Sequence, residues 1–310
     1  MMLNSFLFKQ KARQSLKGNW QTALVVTFFA GVFATIAEVL QSVTLADVQS
    51  AMSSLSAALN ALPQDGSMTN QQSVEVVDLY RRLFAAIDSV PQMMWILLIA
   101  ANVASILFTP ALTLSCNRYF IRRIEGEDPG VKDGLLGCMR IWLKALWLHI
   151  VMFVKIFLWS LLFVIPGIVA ALRYSMAPYF MADDPSISAK QAIAKSKEAM
   201  KDKKFSYFML MVSFVVWSLL IPMAQLLVQG MLGVVIALVA AQFLSLVINA
   251  YMNAACAAFY CSVTKPGGVN ELLDAMRVKM REMGMSDEEI HEAGFVPQDE
   301  NKPDEGDDAM

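Results

Sequence analysis

The chain has 310 residues, of which 56% are hydrophobic and 17% charged, a composition too apolar for an ordinary soluble domain. Its net charge of −2 hides a strong asymmetry: residues 285–310 hold ten acids and one base, Lys302, while residues 1–284 hold 24 bases and 17 acids. Two histidines (His149, His291) and four cysteines in no paired spacing argue against a metal centre, and no cofactor motif is present.

Five apolar stretches, 20–42, 92–116, 142–182, 205–228 and 231–263, contain three of the 25 basic residues. A transmembrane helix needs about 20 mainly apolar residues. The chain therefore reads as all-α, a polytopic transmembrane helical bundle. Residues 1–19, with Lys9, Lys11, Arg13 and Lys17, read as a basic amphipathic cytoplasmic segment, and 20–42 as the first span. At 23 residues that span exceeds the h-region of a signal peptide, so it is read as an uncleaved anchor.

Residues 43–91 carry two bases against five acids, which puts them outside. Leu45, Val48, Met52, Leu55, Leu59 and Leu62, then Val76, Tyr80, Leu83, Ile87 and Val90, recur at helical spacing around a turn at 63–66. This predicts an extracytoplasmic helical hairpin that packs on itself, or alternatively presents a dimer seam or partner surface. The second span is 92–116, followed by a cytoplasmic loop, 117–141, with five bases.

Residues 142–182 would measure about 60 Å as one helix, twice the hydrocarbon thickness. Basic segments flank both ends, so the stretch is expected to go out and return, broken at Pro166-Gly167. The third span is then 142–165, and 168–182, with Arg173 and Pro178, is a short or re-entrant fourth. Asp183-Asp184-Pro185-Ser186 reads as a helix start, capped by Ser186 or Ser188, for a lysine-rich cytoplasmic helix over 183–204. The last spans are 205–228 and 231–263. A cytoplasmic amphipathic helix over 264–296 follows, with Val269, Leu273, Met276, Met280 and Met283 on one face and a capping box at Ser286 and Glu289. Residues 297–310 are too acidic to bury and are expected to be disordered. The outcome is six spans as three hairpins, with both termini cytoplasmic.

Two segments look alike: Ala12 to Trp20, with Leu16-Lys17-Gly18, and Ser196 to Phe205, with Met200-Lys201-Asp202. They are either copies of an internal repeat or two interfacial helices that each precede an aromatic anchor.

Several landmarks occur together: Lys11-Ala12, Leu16-Lys17-Gly18-Asn19-Trp20, Ile165-Pro166-Gly167-Ile168, Arg173-Tyr174-Ser175-Met176-Ala177-Pro178-Tyr179, Ala182-Asp183-Asp184-Pro185, Ala192-Ile193, Ser196, Met200-Lys201 and Ala257-Ala258-Phe259-Tyr260. Together they resemble domain-of-unknown-function family 975, integral membrane proteins of bacteria. Tyr174, Asp183, Pro185 and Ser196 are the family-motif residues. Two positions depart from the pattern: Asp202 stands at the family's usual glycine, and Ala250-Tyr251 at its usual Pro-Tyr. The resemblance implies a multi-pass protein of the bacterial cytoplasmic membrane and no established activity. It is also similar to membrane domains attached to some bacterial glycerophosphodiesterases, which points to lipids by analogy alone.

Charges inside a membrane are costly and are candidates for function. Lys155, Arg173 and Glu38 form the candidate intramembrane site, with Asn102, Gln242, Asn249 and Asn253 as polar neighbours. The set reads either as an outward-facing anion pocket or as a structural network. No nucleophile–base pair or phosphate loop appears, so an enzyme is not expected, with an enzyme acting on lipid headgroups as the remaining alternative. The expected partners are membrane lipids, anionic at the inner leaflet, and not nucleic acid; a protein partner or homo-oligomer stays open. The function expected is that of a non-enzymatic membrane component organising lipid or partner proteins; the alternative is a transporter or channel-like carrier for an anionic lipid or small anion.

Overall fold

The computed structural model describes residues 2–63, 69–226, 231–265, 277–278, 280–282 and 284–292, and is all-α with no strand among them. In chain order the helices are α1 (Met2–Leu16), α2 (Trp20–Thr44), α3 (Ala46–Asn60), α4 (Asn70–Asp88), α5 (Gln92–Ile124), α6 (Val131–Leu136), α7 (Trp142–Leu162), α8 (Val164–Tyr174), α9 (Ala177–Asp183), α10 (Ala189–Ala199), α11 (Lys204–Leu226), α12 (Met231–Thr264) and α13 (Asp287–Glu292). Five stretches among the described residues are long and apolar enough to cross a membrane: Trp20–Thr44, Gln92–Ile124, Val131–Leu162, Val164–Asp183 and Ala240–Thr264. The α11 stretch joins them only together with α10, from which it bends by 95°. Large apolar side chains such as Phe153, Phe157, Leu161 and Ile165 lie exposed, as hydrocarbon solvent permits and water does not.

The chain forms two compact units, 1–28 with 111–310, and 29–110. In the second, α3 and α4 pack together and Phe33 stacks on Phe108 at 5.3 Å. Thr69 caps α4 in a reciprocal box with Gln72. Leu55 is buried, but Met52, Leu59 and Tyr80 are exposed although they share its helical spacing. Only part of each expected stripe therefore faces the neighbouring helix. Of the turn at 63–66, residues 64–66 lie outside the described residues.

In the first unit, residues 142–185 go out and back. Lys144 Nζ, at the start of α7, donates to the Pro185 carbonyl at 3.4 Å. The expected break is displaced, however. The non-helical residue is Phe163 (φ −160°, ψ 152°), and Pro166 and Gly167 lie inside the first turn of α8. Proline is tolerated there because the first N–H groups of a helix have no intrahelical acceptor. Gly167 serves close packing instead: a Cβ on it would lie 2.9 Å from Ser160 Cα and 2.2 Å from Ser160 Oγ of α7. A second interruption at Ser175-Met176 separates α8 from α9, with Pro178 in the first turn of α9.

Three short or basic helices each pack against neighbouring long helices of this unit. Gly134 of α6 sits where an added Cβ would meet Val26 of α2 at 2.6 Å and Tyr119 of α5 at 3.3 Å. From α10, Ser196 Oγ donates to the Arg173 carbonyl of α8 at 2.8 Å. From α1, Phe8 packs edge-on against Phe259 of α12 at 5.2 Å, and the Lys9 carbonyl accepts from Tyr251 at 3.0 Å. Lys9 also lies 4.8 Å from the ring centre of Phe214 in α11, where burial lowers its pKa. Thus α6 packs on the parts of α2 and α5 within this unit, α10 on α8, and α1 on α11 and α12.

The corners after α1 and α10 coincide in detail. Gly18 (φ +87°) and Asp202 (φ +63°) are both left-handed, and Leu16 and Met200 are both wholly buried. Asn19 N donates to Leu16 O and Lys203 N to Met200 O; Ala23 N donates to Asn19 O and Tyr207 N to Lys203 O. The two similar segments thus share one backbone motif.

Of the expected tail helix, Val269, Leu273, Met276 and Met283 lie outside the described residues, as does 297–310. Met280 and Ile290 pack on Leu7, and Ser286 and Glu289 form their capping box.

Two substitutions test these corners by thermal unfolding in detergent. Gly167→Ala forces α7 and α8 apart and is expected to cost about 1–3 kcal/mol. Asp202→Gly relieves a left-handed aspartate and is expected to stabilise by up to about 1 kcal/mol.

Candidate functional site

The polar centre of the first unit lies where three long helical stretches end. Glu125 follows α5, Asp183 closes α9 and Lys265 follows α12. Lys265 Nζ stands 2.6 Å from Glu125 Oε1 and 3.3 Å from Asp183 Oδ2. Tyr260 OH donates to the same Asp183 oxygen at 3.0 Å. The last carbonyls of a helix lack intrahelical partners and carry partial negative charge, so a cation at this meeting of helix ends is favoured. Burial opposes the charge on Lys265, but its hydrogen bond to Glu125 and the charges of Asp183 and Glu125 prevail, and its pKa is raised. The lysine's stabilising contribution is therefore in place below its ordinary pKa and is lost only as pH rises through the raised value.

Behind this node the interior is filled. Tyr179 stacks on Tyr260 at 5.7 Å, Phe180 meets the same ring edge-on at 5.1 Å, and Tyr119, Phe259 and Met181 are fully buried. Asn253 Nδ2 and Tyr207 OH each reach a buried cysteine sulfur, Cys116 and Cys256, at 3.9 Å. Among the described residues no cluster of histidine, cysteine and carboxylate side chains offers a metal site.

Around the node lie the motif residues. Asp184 accepts from the backbone and hydroxyl of Ser186, and these bonds, hydroxyl first, hold its carboxyl below the ordinary aspartate pKa. Of the two expected caps it is Ser188 that starts α10, in a box with Gln191, while Asp183 ends α9. Lys197 Nζ stands 5.7 Å from the ring centre of buried Tyr174. Tyr174, Asp183, Pro185 and Ser196 thus join α7–α10 into one knot. Ala189, Ala192, Ile193 and Ser196 bury the inner face of α10, leaving Lys190 and Lys195 exposed on it and Lys201 exposed just past its end. Among the described residues none of these three has an ion-pair partner.

Of the expected intramembrane set, Lys155 is half-buried on α7 and Arg173 is exposed on α8, with no ion pair to either among the described residues of their unit; Glu38 is exposed and belongs to the other unit. Asn102 and Asn249 bond carbonyls of their own helices, and Gln242 is exposed. With the break at Phe163, Lys155 lies about 12 Å before it and Arg173 about 15 Å after it along the helices. Glu125 and Lys265 were not among the sequence candidates. The signal for Lys265 was positional, two residues past an apolar stretch, whereas Glu125 lies nine residues past one, at the end of a helix that runs on through the basic segment.

Residues 161–266 match the family described as Protein of unknown function (DUF975). That segment resembles DUF975. It holds Asp183, Ser196, Tyr260 and Lys265, and leaves Glu125 outside. No curated protein and no solved structure matches the chain. The long apolar helices mark it as a multi-pass membrane protein.

Tyr260→Phe removes one hydrogen bond to Asp183 and is expected to cost about 1 kcal/mol in thermal unfolding. Asp184→Ala is expected to lower Tm at neutral pH. Because the folded pKa of Asp184 is depressed, the gap from wild type should close as pH falls below the ordinary carboxylate value of about 4.

Proposed function

We propose that this protein is a non-catalytic component of the bacterial cytoplasmic membrane that gathers anionic lipid headgroups on the lysine face of α10. The observation that carries this reading is the exposure of Lys190 and Lys195 on α10 and of Lys201 just past its end, none within ion-pair distance of a carboxylate among the described residues, beside a 95° turn into an apolar helix. A helix at right angles to a span runs along the membrane surface, where each basic residue near anionic lipid contributes about 1 kcal/mol. The filled interior behind the Lys265 node favours an organiser over an open path, and the motif residues serve packing, which favours a non-enzyme. Nucleic acid is disfavoured because the lysines face headgroups.

In this reading the chain crosses six times, with both termini and α10 cytoplasmic. The meeting of Glu125, Asp183 and Lys265 supports it, since six crossings bring all three to one face and five do not. The buried native cysteines permit a direct check. Cysteine in place of exposed Lys195 should resist an impermeant thiol reagent in intact cells and react after permeabilisation; labelling in intact cells overturns the topology.

A second reading, a carrier for an anionic lipid or small anion, draws on Lys155 and Arg173. They lie at similar helical distance from Phe163 with no anion paired to either within their unit. Native mass spectrometry of the gently extracted protein separates the two. Organisation by α10 predicts that Lys190→Gln, Lys195→Gln and Lys201→Gln together remove retained phosphatidylglycerol, while Lys155→Ala and Arg173→Ala keep it. Loss in the folded Lys155 and Arg173 variants alone would favour the carrier.

A further inference from the structure

The same lysine face has a second suitor within the chain. Residues 293–310 lie outside the described residues, and their sequence carries six acids, Asp299, Glu300, Asp304, Glu305, Asp307 and Asp308, against Lys302. They leave the described fold at Glu292, just after Ile290, which is buried against Leu7 of α1. Helix α1 packs on α11, and α11 begins at the corner where α10 ends, so the root of the acidic segment is one helix away from the lysines. Eighteen residues span up to about 60 Å when extended, ample for that reach. Nearer the root, Arg281 is paired with Asp287 and Lys9 lies against the ring of Phe214, while Arg13 and Lys17 are exposed on and just beyond α1 and are the rival surface that the crosslinks must exclude.

From Lys190 to Lys204 the chain holds six lysines and two acids, Glu198 and Asp202. An acidic strand beside an anionic leaflet is repelled by the lipid and attracted to such a face. We propose that residues 293–310 dock on the lysine face of α10 and compete there with anionic headgroups, so that the acidic segment regulates lipid capture. The docking follows from charge and reach alone; the regulation rests on the lipid reading above. Competition requires one surface and two anions, and α10 supplies that surface with no carboxylate of its own paired to Lys190, Lys195 or Lys201.

The test uses the full chain in nanodiscs of neutral phosphatidylcholine, with a photo-crosslinking residue introduced at Asn301. Crosslinks are expected in the peptide bearing Lys190 to Lys204 at low salt. They should fall roughly tenfold at molar salt, where the screening length is about 3 Å, and equally in the Lys190→Gln, Lys195→Gln, Lys201→Gln variant. Crosslinks mapping to α1, or none, overturn docking. In parallel, a chain with the six tail acids changed to Asn or Gln is extracted from phosphatidylglycerol membranes. Severalfold more retained phosphatidylglycerol than wild type is expected. Crosslinks on α10 with unchanged lipid retention would uphold docking and overturn regulation. Lysine-dependent retention without crosslinks would sink docking and leave the lipid reading standing.

Discussion

Lys265 is the point on which the first unit turns. Two carboxylates, Glu125 and Asp183, stand within 3.3 Å of its ammonium, one just after α5 and the other at the end of α9. Without the cation they would repel each other beside helix ends that already carry negative partial charge. With it, the ends of α5, α9 and α12 are held at one level. Tyr260 adds a neutral donor to Asp183 and packs its ring between Tyr179 and Phe180. The aromatic filling behind the node excludes water from one side of the ion pairs, which makes them stronger than the same charges on an open surface.

Around that centre, each of α6, α10 and α1 clasps neighbouring long helices, through Gly134, Ser196 and Phe8 respectively. Two of these clasping helices end in the same left-handed corner, at Gly18 and Asp202. A left-handed residue turns the chain sharply from a clasping helix into a span, and glycine meets that demand with least strain. Where the family pattern has glycine, this chain has Asp202, whose short polar side chain is among the few that tolerate the conformation. The exposed lysines of α10 go with this turn: the helix bends through 95° into α11 and buries its other face against its neighbours.

Much of this was legible in the sequence because it is local. The apolar stretches, the capping residues Ser188 and Ser286, the return of the chain near Pro166 and the likeness of the Gly18 and Asp202 corners all follow from spacing within a few turns. The break was misplaced by three residues for a physical reason. Proline ends a helix ahead of it but also fits the first turn of the next one, so Pro166 marks a neighbourhood and Phe163 holds the break. The node was hidden because its members are 58 and 82 residues apart in sequence (125 to 183, 183 to 265) and each, taken alone, reads as a solvated charge at a span end. Lys155 and Arg173 drew attention for being charged among apolar neighbours, yet the ion pairs formed at the ends of the helices, where water and helix carbonyls reduce the cost of charge.

The most direct measurement is a pair of double-mutant cycles read by thermal unfolding, combining Lys265→Met with Glu125→Gln and, separately, with Asp183→Asn. If Lys265 ties the hairpin ends together, both pairs should show favourable coupling of about 1 kcal/mol or more, and removing cation and carboxylate together should cost less than the sum of the single changes. Additive losses in both cycles would mean that the three residues act independently, and would contradict an architecture closed at Lys265.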